Sequence, residues 1–83
     1  MQELEELLDD IEYNIYEDNL KKARSLINAA ETLYPNEKEL IYLKGLACYY
    51  EDDISKAIEY FLELLEKDPN HYENLIYLSI CYT

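Results

Sequence analysis

Apolar residues recur at three- and four-residue steps along almost the whole chain, and each run stops at a cluster of acidic, Asn or Pro residues. Leu4, Leu7, Leu8, Ile11 and Ile15 make one stripe, so the spacing predicts a helix over residues 2–16. Glu3, Glu5, Glu6, Asp9, Asp10 and Glu12 fill the rest of it; the first acids suit the helix dipole and the later ones are solvated. Glu17-Asp18-Asn19 interrupts the pattern. Asn19 is expected to cap a second helix, 20–33, with Leu20, Ala23, Leu26, Ile27, Ala30 and Leu33 inward. Pro35 ends that helix, because proline restricts the residue before it and cannot continue the hydrogen-bond ladder.

Asn36-Glu37-Lys38-Glu39 reads as a capping-box variant opening a third helix, 37–50. Leu40, Ile41, Leu43, Leu46, Ala47, Cys48 and Tyr50 make it apolar on more than one face, which predicts a central helix with neighbours before and after it. Gly45 in its middle costs about 1 kcal/mol relative to Ala, which makes sense if another helix crosses closely there. Asp53 is expected to cap a fourth helix, 54–67, with Ile54, Ala57, Ile58, Phe61, Leu64 and Leu65 inward. Asn70-His71-Tyr72-Glu73 then repeats the earlier cap and opens a fifth helix, 71–82. No charged residue follows Glu73, so this helix lacks the polar outer face that a terminal helix in water should show.

These elements return at an interval of 34 residues: Ala23 with Ala57, Ile27 with Phe61, Pro35 with Pro69, and Tyr16-Glu17-Asp18 with Tyr50-Glu51-Asp52. A fixed period of this size marks a repeat protein. In these residues the chain resembles the tetratricopeptide repeat family, whose pattern falls on Ile41, Lys44-Gly45, Cys48, Ala57, Phe61 and Pro69 in the middle repeat. Leu7, Asp10-Ile11, Asn14, Ala23, Ile27 and Pro35 match in the first repeat, and Leu75, Leu78-Ser79 and Tyr82 in the last half. Asp10, Ile11 and Asn14 replace the family's Leu, Gly and aromatic, and Lys44 also departs from Leu. An end repeat facing water is commonly atypical. The resemblance implies an all-α fold, a short right-handed α-solenoid of antiparallel helix pairs with five helices. It would form one domain over 1–83, with repeat one at about 4–37, repeat two at about 38–71 and a half repeat at 72–83. A plain five-helix bundle is the rival, but it needs neither the repeated turn nor the recurrence.

Composition narrows the partners. Seven basic residues against 19 acidic ones give a formal charge of −12, which repels nucleic acid and anionic membranes and attracts basic partners. No apolar run approaches the roughly 20 residues needed to span a bilayer. Met1-Gln2-Glu3-Leu4-Glu5-Glu6 is acidic, unlike a signal or transit peptide, so a cytoplasmic location is expected. Cys48 and Cys81 have no CxxC spacing and His71 is the single histidine, so no metal is expected and the cysteines read as buried thiols. With no Ser/His/Asp set and no phosphate-cradling glycine loop, neither an enzyme nor a cofactor site is expected.

The resemblance implies a concave surface built from the first helix of each repeat. It would hold Leu8, Glu12, Ile15 and Tyr16, then Tyr42, Leu46, Tyr49 and Tyr50, then Ile76, Tyr77, Ile80 and Thr83. Family members that grip a peptide's terminal carboxylate use Lys, Arg and Asn there; apolar, aromatic and acidic residues in those places exclude that clamp. The expected function is a protein–protein interaction module whose Tyr-lined groove holds an apolar or amphipathic, basic-flanked segment of a protein or peptide partner. Packing between repeats is an equal reading for any one of these tyrosines. The alternative is self-association as a homodimer through Leu75, Leu78 and Tyr82 on the uncovered last helix, or a fragment of a longer repeat protein cut before the helix that covers this face.

Overall fold

A computed structural model of the chain describes residues 3–83, so the expected start of the first helix at Gln2, and Met1 before it, lie outside the described residues. Five helices follow one another: α1 Glu3–Tyr16, α2 Leu20–Leu33, α3 Lys38–Tyr50, α4 Ile54–Lys67 and α5 Tyr72–Cys81. They pack as sequential antiparallel pairs, a short α-solenoid, with no strand among the described residues. None of the described helices is long and apolar enough to cross a membrane.

The 34-residue period of the sequence is also a period of backbone geometry. Asp18 and Asp52 both take positive φ, 62° and 68°. Behind them the Asn19 amide donates to the Asn14 carbonyl at 2.8 Å, and the Asp53 amide to the Cys48 carbonyl at 2.9 Å. Inside each loop the Asp18 amide reaches Ile15 (3.1 Å) and the Asp52 amide reaches Tyr49 (3.0 Å). This is the Schellman closure of a helix C-terminus, with Asp in the left-handed position that Gly usually fills and that Asp tolerates better than most residues.

Capping differs from the expectation at three of four sites. Asp53 does cap α4, its carboxylate accepting from the Lys56 amide at 3.4 Å. Asn19 occupies the N-cap of α2 but makes no side-chain cap; its amide donates instead to Asn14 Oδ1 at 3.2 Å. Asn14 is buried, and a buried amide needs partners more than an exposed helix end does. The caps of α3 and α5 fall one residue later than expected, at Glu37 and His71 rather than Asn36 and Asn70. The Glu37 carboxylate accepts from the Glu39 amide (3.3 Å), and His71 Nδ1 accepts from the Asn74 amide (3.1 Å).

α3 touches every other helix and carries a large share of the core, including Leu40, Tyr42, Leu43, Leu46, Ala47 and Cys48. Its broadest interface is with α4, and Gly45 is the reason. A Cβ at Gly45 would lie 2.5 Å from Cε1 and 2.8 Å from Cδ1 of the Phe61 ring, so the ring fills the space that a side chain would need. In the preceding repeat two isoleucines, Ile11 and Ile27, occupy the equivalent positions and both are buried. Lys44, the departure from the family's Leu, points toward the even-numbered helices: its amine pairs with Glu31 and sits 5.2 Å from the Tyr60 ring centre. Arg24 on α2 likewise holds Glu51 after α3, Nε to Oε2 at 2.8 Å, and lowers that carboxyl's pKa.

Gly45→Ala should therefore destabilise the fold by about 1–3 kcal/mol, overriding the helix propensity that favours Ala, because Phe61 is fully buried and cannot yield. Thermal melting checks this: Tm should fall by about 4–8 °C per kcal/mol. Phe61→Leu should recover part of the loss in the Gly45→Ala background. An unchanged or raised Tm for Gly45→Ala would contradict the close-crossing account.

Candidate interaction groove

α1, α3 and α5 run side by side, with α3 packed against both, while α1 and α5 approach each other only through the side chains of Tyr16 and Tyr77. The expected lining residues divide. Tyr16, Tyr50, Ile76, Ile80 and Thr83 are exposed, and Leu8, Glu12, Tyr49 and Tyr77 are half-buried. Ile15, Tyr42 and Leu46 belong to the core instead, at 0%, 1% and 0% exposure. Neighbouring helices cover Tyr42 and Leu46 on α3, and Ile15 on α1 packs into the same core, so these three are corrected from lining to packing residues.

One end of the groove is aromatic. Tyr16 meets Tyr50 edge-on at 5.7 Å between ring centres, Tyr50 meets Tyr49 at 5.7 Å, and Tyr49 meets Tyr77 at 5.4 Å. Tyr77 reaches inward to Tyr42 and Phe61, each at 6.2 Å, so the exposed tyrosines are anchored on the core. Burial first, and then the groups around them, raise the hydroxyl pKa values of Tyr16, Tyr50 and Tyr77; Tyr77 interacts with both of the others.

The other end is acidic, and this the sequence reading missed. Glu5, Glu39 and Glu73 stand 34 residues apart, one on each odd-numbered helix, so the repeat interval itself carried the signal. Between α1 and α3 lies an open cleft of about 470 Å³ lined by the carboxylates of Glu5, Asp9, Glu12, Glu37 and Glu39, with Leu8 and Leu43. The Glu12 pKa is raised, chiefly by burial, against a hydrogen bond from the Tyr16 hydroxyl (3.4 Å), and further by Glu39, Asp9 and Glu73. Five of the seven basic residues, Lys21, Lys22, Arg24, Lys56 and Lys67, lie on α2 and α4. The basic residues thus concentrate on the even-numbered helices, although α4 also carries Glu59, Glu63 and Glu66. His71 closes this end, Nε2 lying 2.9 Å from Glu39 Oε1 and its ring 4.9 Å from Tyr42.

On α5, Leu75 and Tyr82 are exposed (41% and 63%), whereas Leu78 is buried at 8% and so is corrected out of the expected edge. Asn74 takes α5 onto α4, donating from Nδ2 to the Phe61 carbonyl at 2.9 Å. Cys48 is a buried free thiol as expected, but Cys81 is only half-buried. Among the described residues no three His, Cys, Asp or Glu side chains are grouped closely enough to hold a metal ion.

Comparison with known proteins places residues 38–71 in a match to the tetratricopeptide repeat. The chain is similar to DnaJ homolog subfamily C member 7 of Homo sapiens, 32% identical over 50 residues that cover 60% of this chain and 10% of that protein. It is also similar to the Mus musculus protein of the same name, 42% identical over 33 residues, 40% of this chain and 7% of that protein. The matches span no more than about a tenth of those relatives' length. No solved structure matches the chain at a significant level.

Because its folded pKa is raised, the Glu12 charge opposes folding. That penalty is complete above the folded pKa and disappears as pH falls through it toward the ordinary Glu value of about 4.3. Glu12→Gln should raise Tm at neutral pH, and the gain should fade in acid. Melting curves of both proteins from neutral pH down to about pH 4 check the sign; a lower Tm for Glu12→Gln at neutral pH would contradict it.

Proposed function

We propose a partner-binding role on this premise: through residues 38–71 the chain belongs to the tetratricopeptide repeat family, a non-catalytic family of protein–protein interaction modules. The groove over α3 is the binding surface, and its occupant is an apolar or amphipathic segment with basic flanks. One observation carries this reading, the division of a single groove into an aromatic end at Tyr16, Tyr49, Tyr50 and Tyr77 and an acidic end at Glu5, Glu12, Glu39 and Glu73. Exposed tyrosines held by packed neighbours offer contact area at little entropic cost, and carboxylates attract basic flanks over a Debye length. Repeat one at about 4–37, repeat two at about 38–71 and the half repeat at 72–83 build this surface together. A cytoplasmic setting fits the free thiols of Cys48 and Cys81.

Fluorescence anisotropy with synthetic peptides tests the role. An amphipathic peptide with Lys and Arg flanks should bind, and Tyr50→Ala or Tyr16→Ala should weaken it about 5–30-fold. Affinity should fall as salt rises from about 50 to about 300 mM. Equal binding of a twin with acidic flanks would overturn the proposed occupant.

A second reading, self-association, is favoured by the apolar face that α5 presents. Leu75, Ile76, Ile80 and Tyr82 are all more than a third exposed, and exposed apolar residues gathered on one helix commonly mark an association site. Sedimentation across a concentration series should then show dimers that Leu75→Glu with Tyr82→Glu abolishes; a monomer at all concentrations would exclude it.

A further inference from the structure

The cap of α5 is an imidazole. His71 Nδ1 accepts from the Asn74 amide at 3.1 Å, and Nε2 lies 2.9 Å from Glu39 Oε1 on α3. Together these bonds fix the tautomer. A backbone N–H can only donate, so Nδ1 carries no proton; the proton is on Nε2, where the Glu39 carboxylate accepts it. The side chain is 10% exposed, and its ring packs on Tyr42 at 4.9 Å between centres. Asn74 is fully buried, and its amide, in the first turn of a helix, has no partner within the helix and no water to turn to. In the preceding repeat the cap 34 residues earlier is a carboxylate, Glu37, which accepts from the Glu39 amide, and α4 is capped by the carboxylate of Asp53. Imidazole differs from both in changing from acceptor to donor ordinarily between pH 5 and 8.

We infer that His71 is a proton-operated switch in the first turn of α5. The titratable groups that face it are Glu39 and Tyr42 from α3 and Glu73 on its own helix, with Glu73 Oε1 3.8 Å from Nδ1. From the end of α4, Asp68 meets it through the backbone, its carbonyl accepting from the His71 amide at 3.2 Å. When Nδ1 takes up a proton it can no longer accept, so the Asn74 amide loses its partner. The new N–H turns to the nearby Glu73 carboxylate. The bond from Nε2 to Glu39 survives and becomes charge-assisted on both sides, so α5 stays tied to α3 while its first turn exchanges partners. Two carboxylates attract the imidazolium, and the positive end of the helix dipole opposes it. The switch therefore reads out as a local change at Asn74 rather than as unfolding of the chain.

Nuclear magnetic resonance of the nitrogen-15-labelled chain tests this between about pH 8 and about pH 5.5, above the ordinary carboxylate range. At the upper end the imidazole nitrogen shifts should show Nδ1 unprotonated and Nε2 protonated. As His71 takes up its proton, the Asn74 amide resonance should move with it. Hydrogen-exchange protection of that amide, corrected for the intrinsic rate, should fall about tenfold or more, as expected for a buried donor left without a partner. The Lys56 amide, capped by Asp53, should keep its protection over the same range. His71→Asn retains a capping side chain that does not titrate, and should hold the Asn74 amide steady throughout. Glu73→Gln weakens the new acceptor and should move the Asn74 transition to lower pH. A proton on Nδ1 at the upper end overturns the switch. So does an Asn74 amide that ignores the His71 titration, or one that still titrates in His71→Asn. Should His71→Asn fail to fold, the tautomer and the Asn74 titration of the unaltered chain decide the matter.

Discussion

Phe61 against Gly45 is the contact on which the rest of the structure depends. The ring occupies the volume where a Cβ at Gly45 would stand, and so lets α4 pack closely on α3. The same residue holds the next helix. Its carbonyl accepts from Asn74 and its ring lies against Tyr77, so α5 is positioned from the residue that positions α4. Tyr42 completes the set on α3, and through Tyr77 the order of the core passes to Tyr49, Tyr50 and Tyr16 on the groove. The aromatic wall is thus an extension of the core rather than a decoration of the surface.

Within each repeat the turn repeats as faithfully as the packing. Asp18 and Asp52 sit in the left-handed region, and the next residue both closes one helix and starts the following one. With only three residues between the paired helices, the direction of α2 is set by the end of α1, and that of α4 by the end of α3. The two repeats differ where their surroundings differ. Asn14 is buried where Cys48 stands in the second repeat, and it draws the Asn19 side chain away from the helix end that Asp53 caps in its own repeat.

Two features lower the stability of the fold, one on α1 and one in the core. Burial and neighbouring carboxylates oppose the charge on Glu12, and Tyr42 keeps a buried hydroxyl without a partner. A core selected for stability alone has no use for either. Five of the seven basic residues lie on α2 and α4, while α1 and α5 carry acidic residues and no basic ones.

How far the sequence went is clearest from particular residues. The helices were readable because periodicity is local: Pro35, Pro69 and the Tyr-Glu-Asp turns punctuate it, and the observed helices begin and end within one residue of the expected spans where both are described. Gly45 announced the close crossing, since a mid-helix glycine has a cost that only packing offsets. Glu5, Glu39 and Glu73 were equally open to view at the repeat interval, but a solvated face also explains them until the helices are set side by side. Tertiary structure decided what lines the groove. Tyr42, Leu46 and Ile15 share a helix face with true surface residues, and helical spacing assigns them to the same side. Only the neighbouring helices bury them, because exposure is set by what packs against a face, and that is not written in the spacing of any one helix.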